Sequence, residues 1–181
     1  FMERLIKAVT TGETVMWSLF CPNKAKGLVD VYGDEYKELY MKYENAKMYE
    51  RQVSIKELWT HVLEIQQEAG VPYISFKDHV NRKNNQNCLG TIKSSNLCNE
   101  INIYTDKNNI GVCNLSSLCL SKFVKKDELG NYSYDYNKLH AVAKKAVENL
   151  NRVIDNNVYP VKEGKKSDEE NRPIGLGVQS L

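Results

Sequence analysis

Residues 134–157 constrain the fold more than any other segment, because their apolar side chains recur every three or four positions, the spacing of one helical face. They predict the longest helix of the chain. Short apolar runs bounded by turn residues, at 71–78, 98–104 and 111–120, are instead typical of strands. Helices mixed with strands favour an α/β fold over a helical bundle. The stripe of the long helix consists of Leu139, Val142, Ala143, Ala146, Val147, Leu150, Val153 and Ile154.

Three further helices are predicted from local signals. Helical spacing of apolar residues indicates one helix over 1–9 and another over 33–48. The third begins after Ser54, which can cap the first turn while Glu57 reaches back to the cap. Gly70 can adopt the left-handed conformation that ends such a helix.

Several segments are predicted to be irregular. Residues 17–28 contain a proline and a glycine and predict a connection without regular structure, and the polar run 79–87 predicts a loop. Residues 162–172 mix basic and acidic side chains and predict a solvated loop. The polar residues at 105–109, between two apolar runs, predict a hairpin or a tight reversal.

Charge and hydropathy argue against several classes of protein. The 25 basic and 23 acidic residues are intermixed and leave a net charge of +2, so we predict no nucleic-acid partner. No apolar run approaches the roughly 18 residues of a membrane span. The start of the chain carries no secretory signal, which predicts a cytoplasmic protein with reduced thiols. Because the sequence begins without Met and stops within an apolar run, we expect an internal segment of a longer protein.

The five cysteines include no CxxC pair, and no histidine lies at a zinc-ligand spacing from them, so no metal site is predicted. The thiols are therefore expected either to fill the core or to take part in chemistry.

The segment "NLCNE" alternates an amide, a thiol and a carboxylate, at Asn96, Cys98 and Glu100. On an extended backbone the three side chains would point to one face. An amide can donate to and accept from a hydroxyl, and a carboxylate can take a second hydroxyl's proton as a general base. The pattern therefore favours a substrate that bears alcohol groups.

The role of the Cys98 thiol stays open at this point. It could be a buried structural cysteine, since free cysteines are among the most buried residues. It could be the nucleophile of a hydrolase or transferase if the fold brought His61 or His140 close. It could carry a hydrogen atom in one-electron chemistry. The chain could also be a non-catalytic α/β interaction module whose cysteines only pack.

Longer blocks of sequence carry a family resemblance. "GTIKSSNLCNEI", "VCNLSSLCL" and "RPIGLGVQSL" closely resemble the large catalytic subunit of class I ribonucleotide reductase. Earlier blocks follow in the same order as in that family, among them "WSLFCPNKAKGL" and "GVPYISFKDHVNRKNNQ". The resemblance spans nearly the entire chain.

The resemblance implies a fold and a set of roles. Residues 1–181 would be part of the catalytic domain, a ten-stranded α/β barrel that is incomplete here at both ends, with Cys98 on a central finger loop. Cys98 would become a thiyl radical that takes the hydrogen from the ribose 3′ carbon. Glu100 would accept the 3′-hydroxyl proton, and Asn96 would hydrogen-bond the ribose hydroxyls. Cys113 would be one of two cysteines that form a redox-active disulfide, its partner lying outside this chain.

The resemblance also implies partners. The substrate would be a ribonucleoside diphosphate, reduced to its 2′-deoxy form for DNA synthesis. A metal-containing small subunit would supply the radical, a second large subunit would complete a homodimer, and thioredoxin or glutaredoxin would be the reductant. Nucleoside triphosphate effectors would bind elsewhere in the full protein, and this segment would hold no cofactor. We therefore expect the segment alone to be inactive.

Overall fold

The computed structural model describes all residues, 1–181, and divides into two compact units, 1–102 and 103–181. The helices are α1 (Met2–Thr11), α2 (Gly33–Asn45), α3 (Ile55–Ala69), α4 (Lys77–Arg82), α5 (Tyr136–Asn156) and α6 (Lys162–Asn171). The strands are β1 (Met16–Leu19), β2 (Arg51–Ser54), β3 (Asn114–Cys119), β4 (Val124–Lys126), β5 (Tyr132–Tyr134) and β6 (Ile174–Gln179). None of the helices has the length and the apolar composition that crossing a bilayer requires.

The core of the first unit lies where α1 packs against α3. Leu5 and Ala8 of α1 and Ile55 of α3 are buried together. Phe1, Val15, Trp17 and Trp59 surround them as partly buried neighbours. The apolar spacing that predicts the first helix therefore corresponds to a buried face, and that prediction is confirmed.

A polar cluster ties α1 to α2 beside this core. The Arg4 guanidinium donates to both oxygens of Glu44, at 2.9 and 2.6 Å, and lies 5.0 Å from the centre of the Tyr40 ring. Ser18 donates a further hydrogen bond to Glu44 at 2.7 Å. The hydrogen bonds from Arg4 are the main cause that lowers the pKa of Glu44. Such a bidentate pair fixes geometry as well as charge.

The Ser54 cap and the Gly70 stop predicted for α3 are confirmed. Ser54 accepts a hydrogen bond from the Glu57 amide, and Gly70 ends the helix in the left-handed conformation, at φ 72°. The prediction of an irregular connection at 17–28 is wrong at its start. There β1 pairs with β2 as an antiparallel ribbon, because the chain leaving α2 returns alongside it.

The second unit is built on β3 and β6, which pair in parallel from Asn114 opposite Ile174 to Cys119 opposite Gln179. Parallel neighbours need a long crossover connection, and α5 is its main helix, in contact with both strands. This helix confirms the prediction for 134–157. A small antiparallel ribbon, β4 with β5, precedes it.

The α/β class is confirmed, but no barrel is closed in this chain. Only β3 and β6 pair in parallel, and each of the three sheets has two strands. The strand predictions at 71–78 and 98–104 are wrong. Both segments are mainly irregular, and α4 begins within the first of them and extends into the loop predicted at 79–87. Alternating side chains form a strand only where a neighbouring strand supplies hydrogen bonds, and none lies beside these segments.

Two further predictions concern the second unit. The tight reversal at 105–109 is confirmed, since Asp106 and Asn109 exchange backbone hydrogen bonds at 2.9 and 3.3 Å. The solvated loop predicted at 162–172 is wrong. That segment forms α6, and Asp168 on it is fully buried. Its carboxylate accepts hydrogen bonds from Asn114 Nδ2 and from the Tyr159 hydroxyl, which allows a charged residue to lie inside.

Candidate active site

The three residues of the "NLCNE" block lie in a loop, residues 93–102, which we call the cysteine loop. Its backbone turns sharply at Cys98. The Asn99 amide donates to the Asn96 carbonyl at 3.1 Å, and Asn99 itself is left-handed, at φ 65°. Asparagine tolerates this conformation better than most residues. The extended backbone that would place the three side chains on one face is therefore not the geometry of this segment.

The turn nevertheless brings the amide and the carboxylate together. Asn96 Nδ2 donates to Glu100 Oε1 at 2.5 Å, and Asn96 Oδ1 accepts from the Ile101 amide at 3.0 Å. Ser95 closes the base of the loop by donating to the Ile101 carbonyl at 2.7 Å. Both groups remain exposed to solvent, so they can exchange their mutual hydrogen bond for bonds to a ligand.

The Cys98 thiol lies at the tip of this turn and is exposed. Its neighbour Leu97 is 87% exposed, so the tip does not pack against an apolar core. The reading of Cys98 as a buried structural thiol is therefore wrong. The histidines of the same unit have partners other than Cys98: His61 lies 3.6 Å from Glu64, and His79 lies 2.9 Å from Arg82.

One wall of a cleft of about 510 Å³ is formed by the cysteine loop. Asn96 lines this cleft, whereas Cys98 and Glu100 lie outside its lining. The rest of the lining comes from residues 71–73, Ser75, Lys77, Val80 and Ile92. A cleft of this size is in the range that holds small organic molecules.

The two lysines of the cleft are tied to the segment 29–31. Lys77 Nζ donates to the carbonyls of Val29 and Val31, at 2.6 and 2.8 Å, and Lys93 forms an ion pair with Asp30. Burial lowers the pKa of Lys77. These two lysines therefore hold the lining of the cleft to the segment 29–31.

Cys113 belongs to the second unit and directly precedes β3, where it is half-buried. Its sulfur lies over Gly175 of β6: a Cβ atom at Gly175 would be 3.6 Å from Cys113 Sγ and 2.6 Å from Leu115 Cδ2. The glycine therefore makes room for the thiol and for Leu115.

The remaining cysteines differ in exposure. Cys88 is exposed, and Cys21 and Cys119 are half-buried. The hydroxyls of Ser121 and Ser180, 3.3 and 3.5 Å from the Cys119 sulfur, lower the pKa of that thiol.

Two buried polar residues beside these sites were missed by the sequence analysis. Asn81 contacts the chain that enters the cysteine loop, and Asp168 holds Asn114, the residue after Cys113. Each lies in a run of polar residues that predicts a solvated loop, so the local sequence carries no signal of burial.

Comparison with known proteins identifies the family. The family described as "Ribonucleotide reductase, barrel domain" matches residues 1–181. This chain belongs to the ribonucleotide reductase family. It is 50% identical over 165 residues to the ribonucleoside-diphosphate reductase large chain of Neurospora crassa, covering 91% of this chain and 17% of that one.

Other relatives of this chain come from distant organisms. The large subunit of Danio rerio is 45% identical over 181 residues, with all of this chain and 22% of the relative covered. That of Acanthamoeba polyphaga mimivirus is 44% identical over 182 residues, with all of this chain and 20% of the relative covered. The chain thus spans about a fifth of the length of the relatives that it matches.

Proposed function

We propose that this chain supplies the radical-bearing part of a ribonucleoside-diphosphate reductase large subunit, with Cys98 as the thiol that exchanges a hydrogen atom with the substrate ribose. The observation that supports this role is the exposed thiol on a turn closed by the hydrogen bond between Asn96 and Glu100. An amide and a carboxylate held together can grip two neighbouring hydroxyls. This arrangement suits a sugar diol better than it suits packing.

In the proposed reaction, a thiyl radical at Cys98 takes the hydrogen atom from the ribose 3′ carbon, so an S–H bond forms as a C–H bond breaks. Glu100 accepts the proton of the 3′ hydroxyl, and Asn96 hydrogen-bonds the ribose hydroxyls. The 2′ hydroxyl gains a proton and leaves as water. Cys113 and a second cysteine provide two electrons and two protons and become a disulfide. One proton leaves with the 2′ hydroxyl as water, and the other hydrogen forms the new C–H bond at the 2′ carbon. Cys98 then returns its hydrogen atom to the 3′ carbon and is a thiyl again.

The balance of this reaction defines the partners. One ribonucleoside diphosphate and two thiols give one deoxyribonucleoside diphosphate, one water and one disulfide, so thioredoxin or glutaredoxin must reduce the disulfide before the next turnover. A metal-containing small subunit generates the radical, and nucleoside triphosphate effectors act on other parts of a dimeric large subunit. In that assembly residues 1–181 are part of the ten-stranded catalytic barrel, and the cysteine loop is its central finger loop.

The test uses the full-length product of the source gene with its small subunit and a ribonucleoside diphosphate. We expect Cys98→Ser to abolish turnover, because a hydroxyl hydrogen is far harder to abstract than a thiol hydrogen. Glu100→Gln should lower kcat by about 10²–10⁴-fold through loss of the base. Cys113→Ser should prevent repeated turnover. Cys88→Ser is the matched control, since it also alters an exposed thiol of the first unit, and should retain activity.

A Cys98→Ser enzyme that still turns over would refute the radical assignment. Hydrolysis or group transfer that depends on Cys98 without the small subunit would instead establish the nucleophile reading. A cheaper check is the reading frame itself, which should encode the second redox cysteine.

A further inference from the structure

We propose that Asn81 is a positioning residue that fixes the entry of the cysteine loop and thereby the placement of Cys98. Asn81 lies at the end of α4 and is only 4% exposed. Its side-chain amide brackets Ile92, donating to the Ile92 carbonyl at 2.9 Å and accepting from the Ile92 amide at 2.8 Å. One side chain thus satisfies both backbone groups of Ile92, as a neighbouring strand would.

Ile92 is the last buried residue before the cysteine loop, at 3% exposure. Beyond it, the hydrogen bonds of Ser95 and Asn96 join the loop to its own far end at Ile101. These inner bonds shape the turn but do not attach it to the rest of the unit. At the entry, the loop is attached by the pair of bonds from Asn81 to Ile92 and by the ion pair between Lys93 and Asp30.

The chemistry of this contact requires a carboxamide of this length. Asn81 Nδ2 donates to two carbonyls, those of Ile92 and Lys77, both at 2.9 Å, while Oδ1 accepts from the Ile92 amide. A carboxylate could accept but not donate and would face both carbonyls. Alanine would leave buried backbone groups unpaired. Asn81 does not line the cleft and therefore acts through Ile92 rather than on a ligand.

A shift of the loop matters because hydrogen transfer depends on the distance between the sulfur and the sugar carbon. Misplacement of a reacting group by about 1 Å can cost about 10²-fold in rate. This inference rests on the proposed role of Cys98. It predicts that loss of the Asn81 bonds lowers kcat while substrate binding persists.

The chain offers a matched control in Asn84. This residue accepts from the Gln86 amide at 2.7 Å and donates to the Gly90 carbonyl at 3.1 Å, so it pins the preceding loop without touching Ile92 or the cysteine loop. Asn81→Ala and Asn84→Ala both remove a side-chain carboxamide, and the two positions are only three residues apart in the chain.

The experiment compares Asn81→Ala, the nearly isosteric Asn81→Asp and Asn84→Ala in the full-length large subunit with its small subunit. Three quantities are measured: kcat, the stoichiometry and affinity of ribonucleoside diphosphate binding, and backbone hydrogen exchange of the peptide 92–102 by mass spectrometry. For both Asn81 variants we expect kcat to fall at least tenfold, binding stoichiometry to stay at the wild-type value, and exchange in 92–102 to accelerate. Asn84→Ala should change exchange only within 84–91 and retain kcat within twofold.

Three results would overturn the proposal. The first two are unchanged exchange in 92–102, and kcat within twofold of wild type in both Asn81 variants. A loss of kcat matched by an equal loss of binding stoichiometry would also overturn it, because Asn81 would then support only folding. The exchange measurement does not depend on the chemistry of Cys98. If Cys98→Ser proved active, the proposed function would fail, but the hydrogen exchange of 92–102 would still test whether Asn81 anchors the loop.

Discussion

Substitutions at Asp168 distinguish the stabilisation that its hydrogen bonds provide from the destabilisation that its buried charge causes. The carboxylate is fully buried and accepts from Asn114 at 2.8 Å and from the Tyr159 hydroxyl, and no cation forms an ion pair with it. Asp168→Ala removes two hydrogen bonds to a charged acceptor, at roughly 1.5–3 kcal/mol each. Relief of the buried charge offsets part of this loss. We therefore expect Asp168→Ala to lower the free energy of unfolding by about 2–4 kcal/mol.

Asp168→Asn should behave differently, because the surrounding groups can satisfy an amide. Its oxygen can still accept from Asn114. Its NH₂ group can donate to the Tyr159 oxygen, since the Tyr159 hydroxyl already lies 2.9 Å from the Ile154 carbonyl and can donate there. No buried charge remains in this arrangement. We expect Asp168→Asn to be neutral or stabilising, by up to about 2 kcal/mol.

The assay is urea unfolding of the purified chain followed by circular dichroism. With an m-value of about 2 kcal/mol/M, Asp168→Ala should lower the midpoint by about 1–2 M, while Asp168→Asn should leave it unchanged or raise it. Burial and then the Asp168 carboxylate raise the pKa of Tyr159 to about 12, so Asp168→Asn should also lower that pKa in a spectroscopic titration. The reasoning is refuted if Asp168→Asn destabilises the chain as much as Asp168→Ala does.

Two other changes test packing and charge. Gly175→Ala places a Cβ 2.6 Å from Leu115 Cδ2, the end of a side chain that is 57% exposed and can rotate away, so it should change the free energy of unfolding in urea by less than about 1 kcal/mol, close to the effect of Gly177→Ala, which meets nothing closer than 3.8 Å. A loss above about 2 kcal/mol for Gly175→Ala alone would contradict this argument. Arg4 lowers the pKa of Glu44, so their ion pair should stabilise the fold by about 1–2 kcal/mol at pH values above 4.5, the ordinary pKa of a glutamate. This stabilisation is lost as the pH falls below 4.5 and through the lower pKa of Glu44 in the folded state. Glu44→Gln should therefore flatten the stability profile below pH 4.5, and an unchanged acid limb would argue against the assignment.

The features that could be predicted from sequence are those set by near neighbours in the chain. The cap at Ser54 and the stop at Gly70 depend on residues within one turn, and the period of 134–157 needs only an apolar surface to pack against. The strand predicted at 71–78 fails because its partner would have to come from elsewhere. The burial of Asp168 depends on Asn114, which is 54 positions away in the chain.

The candidate site divides in the same way. The spacing of Asn96, Cys98 and Glu100 indicates three groups that act together, and the turn does join the amide to the carboxylate. The backbone geometry that does so is a reversal rather than an extended segment. The anchor at Asn81 could not be predicted, because it depends on the meeting of a short helix with Ile92.

The parallel pairing of β3 with β6 has a consequence for biosynthesis. β3 ends at Cys119 and its partner begins at Ile174, so the ribosome must add more than 50 residues before the pair can form. At about 5–20 residues per second, this takes roughly 3–10 s. During that interval the nascent β3 has unpaired backbone groups along both of its edges, whereas pairing with β6 covers one of them.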